Sequence, residues 1–228
     1  IFWSTLGFLV SKISDYNFSP EEVAFFRMVG GFIVISIYGK ITIPTMFKIT
    51  KKGILYVFAI GIVCQFIFNI AYMGSISMVG ASMAAVLLYV SPVFVAIFSK
   101  IVYKEKINKI KILSLIFCVI GAFLAVTGGK IEIQGLNIIG ILAGIISAIT
   151  YAMLPIFNKN ALKEMDNITM SAYAFLIAAI IMCFRVNPIH TISKIDNMRI
   201  LMYILAIGII PTAMSYIVYS KGILKGVE

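Results

Sequence analysis

From Ile54 to Ser75 the chain runs through a long block without one charged side chain. Similar apolar blocks recur at Ala81–Tyr103, Ile112–Gly128 and Asn137–Phe157. Each is close to the ~20 residues that an α-helix needs to cross ~30 Å of hydrocarbon. Backbone amides in lipid must be bonded within their own segment, so blocks of this kind fold as spanning helices. Composition agrees, with 61% hydrophobic and only 12% charged residues, too little charge to cover the surface of a soluble domain. The chain reads as an all-α, polytopic membrane helical bundle.

Eight spans are expected, at Ile1–Ile13, Val23–Gly39, Ile54–Ser75, Ala81–Tyr103, Ile112–Gly128, Asn137–Phe157, Ile168–Phe184 and Ile200–Ser220. The formal charge of +10 does not form a nucleic-acid patch, because the lysines lie between the apolar runs, as in KITIPTMFKITKK and KEKINKIK. With the N-terminus in the cytoplasm, twelve basic residues fall in inside connections and five outside. A cytoplasmic N-terminus in a multi-pass protein of the cell membrane is therefore expected. The cysteines (Cys64, Cys118, Cys183) lie in separate spans, and no metal-ligand spacing or cofactor motif is visible.

A shift of 147 residues lays Ile54–Gly80 over Leu201–Val227, with Tyr56/Tyr203, Ala59/Ala206, Gly61/Gly208 and Tyr72/Tyr219 among the identities. The polar stripe Gln65, Asn69, Tyr72 falls over Thr212, Tyr216, Tyr219. The third and eighth spans are an odd number of crossings apart, so the repeats must run in opposite directions. Lysines agree: SISMVG after the third span has none, whereas its counterpart carries Lys225. Inverted repeats are an architecture of secondary transporters. The expected organisation is a first repeat over residues 1–128, a linker over 129–136, and a second repeat over 137–228. By this register about eight of ten spans are present, the start of the first and the ninth and tenth falling outside the sequence.

Four stretches carry a family resemblance: IFWSTLGFLVSK, SPEEVAFFRMVGG, ASMAAVLLYVSPVFVAIFSKIVYKEKI with Pro92 in mid-span and Glu105 at its end, and ISAITYAMLPIFNKN. The chain resembles the drug/metabolite transporter superfamily and its EamA-type exporters. The resemblance implies two inverted five-helix repeats and export of a small polar or aromatic metabolite, amino acids first among the classes. It also implies a central cavity lined by the first, third and fourth spans and their inverted counterparts. The chain departs from the pattern where TMSAYAFL offers no basic counterpart to Arg27.

Gln65, Asn69 and Tyr72 are the leading cavity candidates, since amides in hydrocarbon require partners. The competing reading is that they bond only to neighbouring helices. Thr212 and Tyr216 share both readings. Tyr89 and Pro92 lie in the fourth span, where proline frees a backbone carbonyl that a cavity can use, or simply kinks the helix. Tyr151 and Trp3 complete the cavity set. Arg27 suggests a gate or outer mouth attracting anionic substrate, against snorkelling to the interface. The Gly140, Gly144, Ala148 spacing is read as close helix packing.

No span carries HExxH, a carboxylate pair or a histidine, so an intramembrane enzyme is not indicated. The lack of a mid-span carboxylate leans towards uncoupled transport. A non-transporting membrane scaffold or receptor is the alternative. The expected partners are a small-molecule substrate and the lipid bilayer, with no nucleic acid; a homodimer is compatible with the sequence.

Overall fold

The computed structural model describes residue 2, residues 5–127 and residues 137–226. Trp3 and the linker over 129–136 therefore lie outside the described residues. Those described form helices α1 (Thr5–Ser14), α2 (Pro20–Thr42), α3 (Lys51–Leu88), α4 (Ser91–Tyr103), α5 (Lys109–Thr127), α6 (Ile138–Ala161), α7 (Asn167–Met182) and α8 (Pro188–Ser193). The last, α9, is continuous through Met198–Gly208, Ile209–Met214 and Ser215–Gly226. A helix lies at each of the eight expected crossings, and α8 is an addition within the connection after the seventh. Among the described residues, four helices are long and apolar enough to cross a bilayer: Pro20–Thr42, Lys51–Leu88, Ile138–Ala161 and Met198–Gly222.

At 38 residues α3 would measure about 57 Å if straight, far beyond one crossing. Gly80 resolves this, with φ 82° and ψ 159° breaking the helix between the third and fourth spans. No Cβ neighbour lies within 4 Å of it, so backbone freedom rather than packing explains the glycine. The fourth span is also divided. Its first part ends at Leu88, Tyr89 and Val90 turn, and Pro92 opens α4 at the start of a new helix. Pro92 thus sits in a first turn, where its missing N–H costs nothing, and not inside an unbroken helix.

Two compact units emerge, one from Ile1–Phe66 with Asn160–Glu228, the other from Ile67–Lys159. In the first, α2 packs along α7 and α9. Its core joins Met28 and Ile35 of α2, Ala172, Phe175 and Ala178 of α7, and Ala213 and Tyr216 of α9. Close approach needs small residues: a Cβ at Gly30 would lie 2.8 Å from Gly208 Cα. Gly53 lies beside Met165 and Gly61 beside Ala174 and Ile177, so the third span runs with α7. Asn167 bonds Ser220, and Phe175 meets Tyr216 edge to face, so α9 runs against α7. The third and eighth spans are therefore antiparallel, as the inverted repeat requires.

Both also contain π-helical turns, at Ile60–Ile67 and at Ile209–Met214. Under the 147-residue shift Ile60–Ile67 falls on Ile207–Met214, so the two irregular stretches overlap over Ile209–Met214. Thr212 Oγ1 donates to the Ile207 carbonyl five residues back at 2.8 Å, closing the wide turn. Wide turns of this kind are rare and concentrate at functional sites.

In the second unit, the end of α3 packs on α6. A Cβ at Gly144 would lie 2.9 Å from Leu87 Cβ, and one at Gly140 2.6 Å from Met78 Cβ. Small residues here serve close packing, as their spacing suggests. Tyr103 Oη donates to the Ile156 carbonyl at 2.7 Å, and Lys159 lies over the Tyr103 ring.

Candidate functional site

The first unit brings four of the expected site residues into two bonded pairs. Gln65 Nε2, in the π stretch of α3, donates to Tyr216 Oη of α9 at 2.7 Å. Arg27 Nε, in α2, donates to Thr212 Oγ1 at 3.1 Å. All four are buried, Gln65 at 1% exposure and Thr212 at 0%. Arg27 is 4% exposed, so its guanidinium is held inside the helical packing and does not snorkel out along the helix. Tyr216 is further fixed by an edge-to-face contact with Phe175, centroids 4.9 Å apart.

Sequence explains why these contacts form at this level. The wide turns add residues to each helical circuit and swing the following side chains round the axis. Gly30, Gly31 and Gly208 remove the side chains that would hold α2 and α9 apart. Thr212, bonded both to Ile207 and to Arg27, couples the irregular backbone of α9 to the buried cation. A charged group in such a setting is stable only while its donors are engaged.

The second unit gathers a different set. Tyr72 stacks on Phe68 at 5.6 Å with rings 8° from parallel, and Tyr151 of α6 approaches the same Phe68 at 5.4 Å. Asn69 is 1% exposed. Tyr89, in the turn that divides the fourth span, is 51% exposed, and Pro92 follows it without joining either pair or the aromatic group. Among the described residues no group of three or more His, Cys, Asp or Glu could hold a metal.

A third cluster was not singled out from sequence. Glu22 receives hydrogen bonds from Thr191 Oγ1 at 3.0 Å, Lys194 Nζ at 2.8 Å and the Ser19 N–H at 2.7 Å. Lys194 also donates to the Asn17 carbonyl at 3.3 Å. Glu21 and Glu22 belong to the first turn of α2 and not to a loop, because Ser19 and Glu22 form a reciprocal capping box. The S-x-x-E signal was present in SPEE. The long-range partners Thr191 and Lys194 had no such signal.

The EamA-like transporter family matches residues 1–127 and 138–226. The chain is 26% identical to an uncharacterized transporter of Archaeoglobus fulgidus over 220 residues, covering 95% of this chain and 74% of that protein. It is 24% identical to an uncharacterized transporter of Clostridium kluyveri, covering 84% of this chain and 63% of that protein. A crystal structure of a protein superposes with a TM-score of 0.73 at 15% identity, over 97% of this chain and 75% of the other; that likeness is one of fold alone. The chain belongs to the EamA-like transporter family, as a multi-pass membrane transporter.

Proposed function

We propose that the protein is a secondary transporter that exports a small polar or aromatic metabolite by alternating access, with amino acids as the first class to test. One observation carries the reading. Gln65 and Tyr216, on two antiparallel helices with wide turns at equivalent positions, meet in a buried hydrogen bond. The bond engages an amide donor of Gln65, a side chain that both donates and accepts. A polar substrate can exchange with such a bond at little net cost, whereas an apolar seam would reject it.

In this reading Gln65, Thr212 and Tyr216 are substrate contacts, and Arg27 gates the outer mouth or attracts an anionic substrate group. Asn69, Tyr72, Tyr89, Pro92 and Tyr151 are substrate contacts of the second unit, and Trp3 has the same proposed role. The protein resides in the cell membrane with a cytoplasmic N-terminus, on the lysine distribution. The test is efflux of labelled metabolites from proteoliposomes holding the full-length protein, with Gln65→Leu and Tyr216→Phe beside the parent. Substrate-dependent flux that both variants reduce is the expected result. An absence of flux across a broad metabolite panel, from protein that is folded and correctly inserted, overturns the proposal.

A further inference from the structure

The second unit contains an open apolar groove of about 600 Å³ between α4 and α5. Val93 and Ile97 line one side, Ile116 and Ile120 the other, and Ala96 is buried among them. Ile97, Ile116 and Ile120 are 41%, 49% and 48% exposed, so the groove opens along the outer surface of this unit. From Val90 to Lys100 it follows eleven residues of chain, about 15 Å at helical rise. Its polar end is cationic. Lys100 lines it, next to Lys104 and Lys106 of the α4–α5 connection and Lys109 and Lys111 in the first turn of α5. Glu105 is the one carboxylate there, and Lys111 and Lys159 share it at 3.6 and 3.3 Å. Among the described residues, Lys100, Lys104, Lys106 and Lys109 have no carboxylate partner.

We infer that this groove is a binding site for one anionic phospholipid, its acyl chain along α4 and α5 and its phosphate against Lys100 and the neighbouring lysines. Shape and charge select the occupant together. An apolar channel with a cationic end, open to the surface of a membrane helix pair, matches a chain with an anionic head. A zwitterionic lipid fills the channel equally well but leaves the lysines unneutralised. Four unneutralised lysines beside a spanning helix are the pattern that concentrates anionic lipids, at a few-fold per charge. The site is independent of the transport reading, because its readout is lipid occupancy and not flux.

The experiment places a reporter in the groove. Ile116→Trp, at a half-exposed position, is purified in the full-length protein and titrated with vesicles containing phosphatidylglycerol or phosphatidylcholine brominated on the acyl chain. The added quenching over the parent reports occupancy at residue 116. Brominated phosphatidylglycerol is expected to quench at a mole fraction about fivefold lower than phosphatidylcholine, and Lys100→Gln to remove most of that difference. Equal quenching by the two lipids overturns the inference, since the groove then holds only bulk lipid. So does a preference unchanged by Lys100→Gln together with Lys104→Gln. Absence of quenching by either lipid also overturns it, because protein then fills the groove, from a second copy or another part of the chain. Ile120→Trp repeats the measurement on the same wall if Ile116→Trp does not fold.

Discussion

Gln65 and Tyr216 stand 151 residues apart in the chain and 2.7 Å apart in space, amide to phenol, with Gln65 at 1% exposure. The bond ties the third span to the eighth at the level of their matching wide turns. It is buried on both sides, so removing one partner leaves the other in a setting without water. Replacing Tyr216 by Phe should destabilise by about 1–2 kcal/mol. A double-mutant cycle with Gln65→Leu should give a coupling of roughly 0.5–1.5 kcal/mol, within the range of interhelical bonds in membrane proteins. Unfolding in mixed micelles measures it; strictly additive variants would mean the bond contributes nothing in solution.

Thr212 is asked to do two things, accepting from Arg27 and closing the wide turn on Ile207. Thr212→Val keeps the shape and loses both bonds, and should cost about 2–3 kcal/mol because Arg27 loses an acceptor inside the protein. Thr212→Ser keeps the hydroxyl and should lie within about 1 kcal/mol of the parent. If thermal unfolding ranks the two variants alike, the hydroxyl is not what matters at this position.

The crossing of α2 and α9 is controlled by absent side chains. Gly30→Ala and Gly208→Ala each place a methyl against opposing backbone, at 2.8 and 2.9 Å, and should cost about 1–3 kcal/mol by forcing the helices apart. Gly74, which has nothing within 4 Å, is the internal control: Gly74→Ala should be neutral or stabilise by up to ~1 kcal/mol. Melting temperatures of the three variants in one detergent decide it.

Glu22 and Glu21 are adjacent and should behave differently. Glu22 is 8% exposed at its side chain, with three donors, whereas Glu21 is 37% exposed and meets Arg185 at a distant 3.9 Å. Glu22→Gln should cost about 1–3 kcal/mol, reduced from a fully buried pair because Lys194 is 27% exposed. Glu21→Gln should stay within ~0.5 kcal/mol. Equal losses in chemical unfolding would show that the buried pairing of Glu22 has no special weight.

Thiol accessibility tests the proposed orientation. Cys183 is exposed at the end of α7, Cys64 is buried, and Cys118 is exposed on the apolar α5. With the N-terminus inside, a membrane-impermeant maleimide added to intact cells should label Cys183 alone. Cys118 should react only with a lipid-soluble reagent. Labelling of Cys183 solely after the inner face is opened reverses the topology.

The sequence by itself determined the membrane setting, the helical class and the family. Apolar run length, lysine placement and the match of Ile54–Gly80 with Leu201–Val227 are properties of order along the chain, which needs no third dimension to be read. Helix caps such as Ser19–Glu22 are equally local, and that one was legible though not singled out. Tertiary structure alone decided which polar residues meet. Gln65 with Tyr216, Arg27 with Thr212, and Glu22 with Thr191 and Lys194 join positions 151 to 185 apart in sequence. Those meetings depend on how far each helix is rotated and how closely it approaches its neighbour. Rotation is altered by the wide turns in α3 and α9, and approach is set by Gly30 against Gly208. A residue pattern fixes which face of a helix is polar, but the partner of that face is chosen only when whole helices pack.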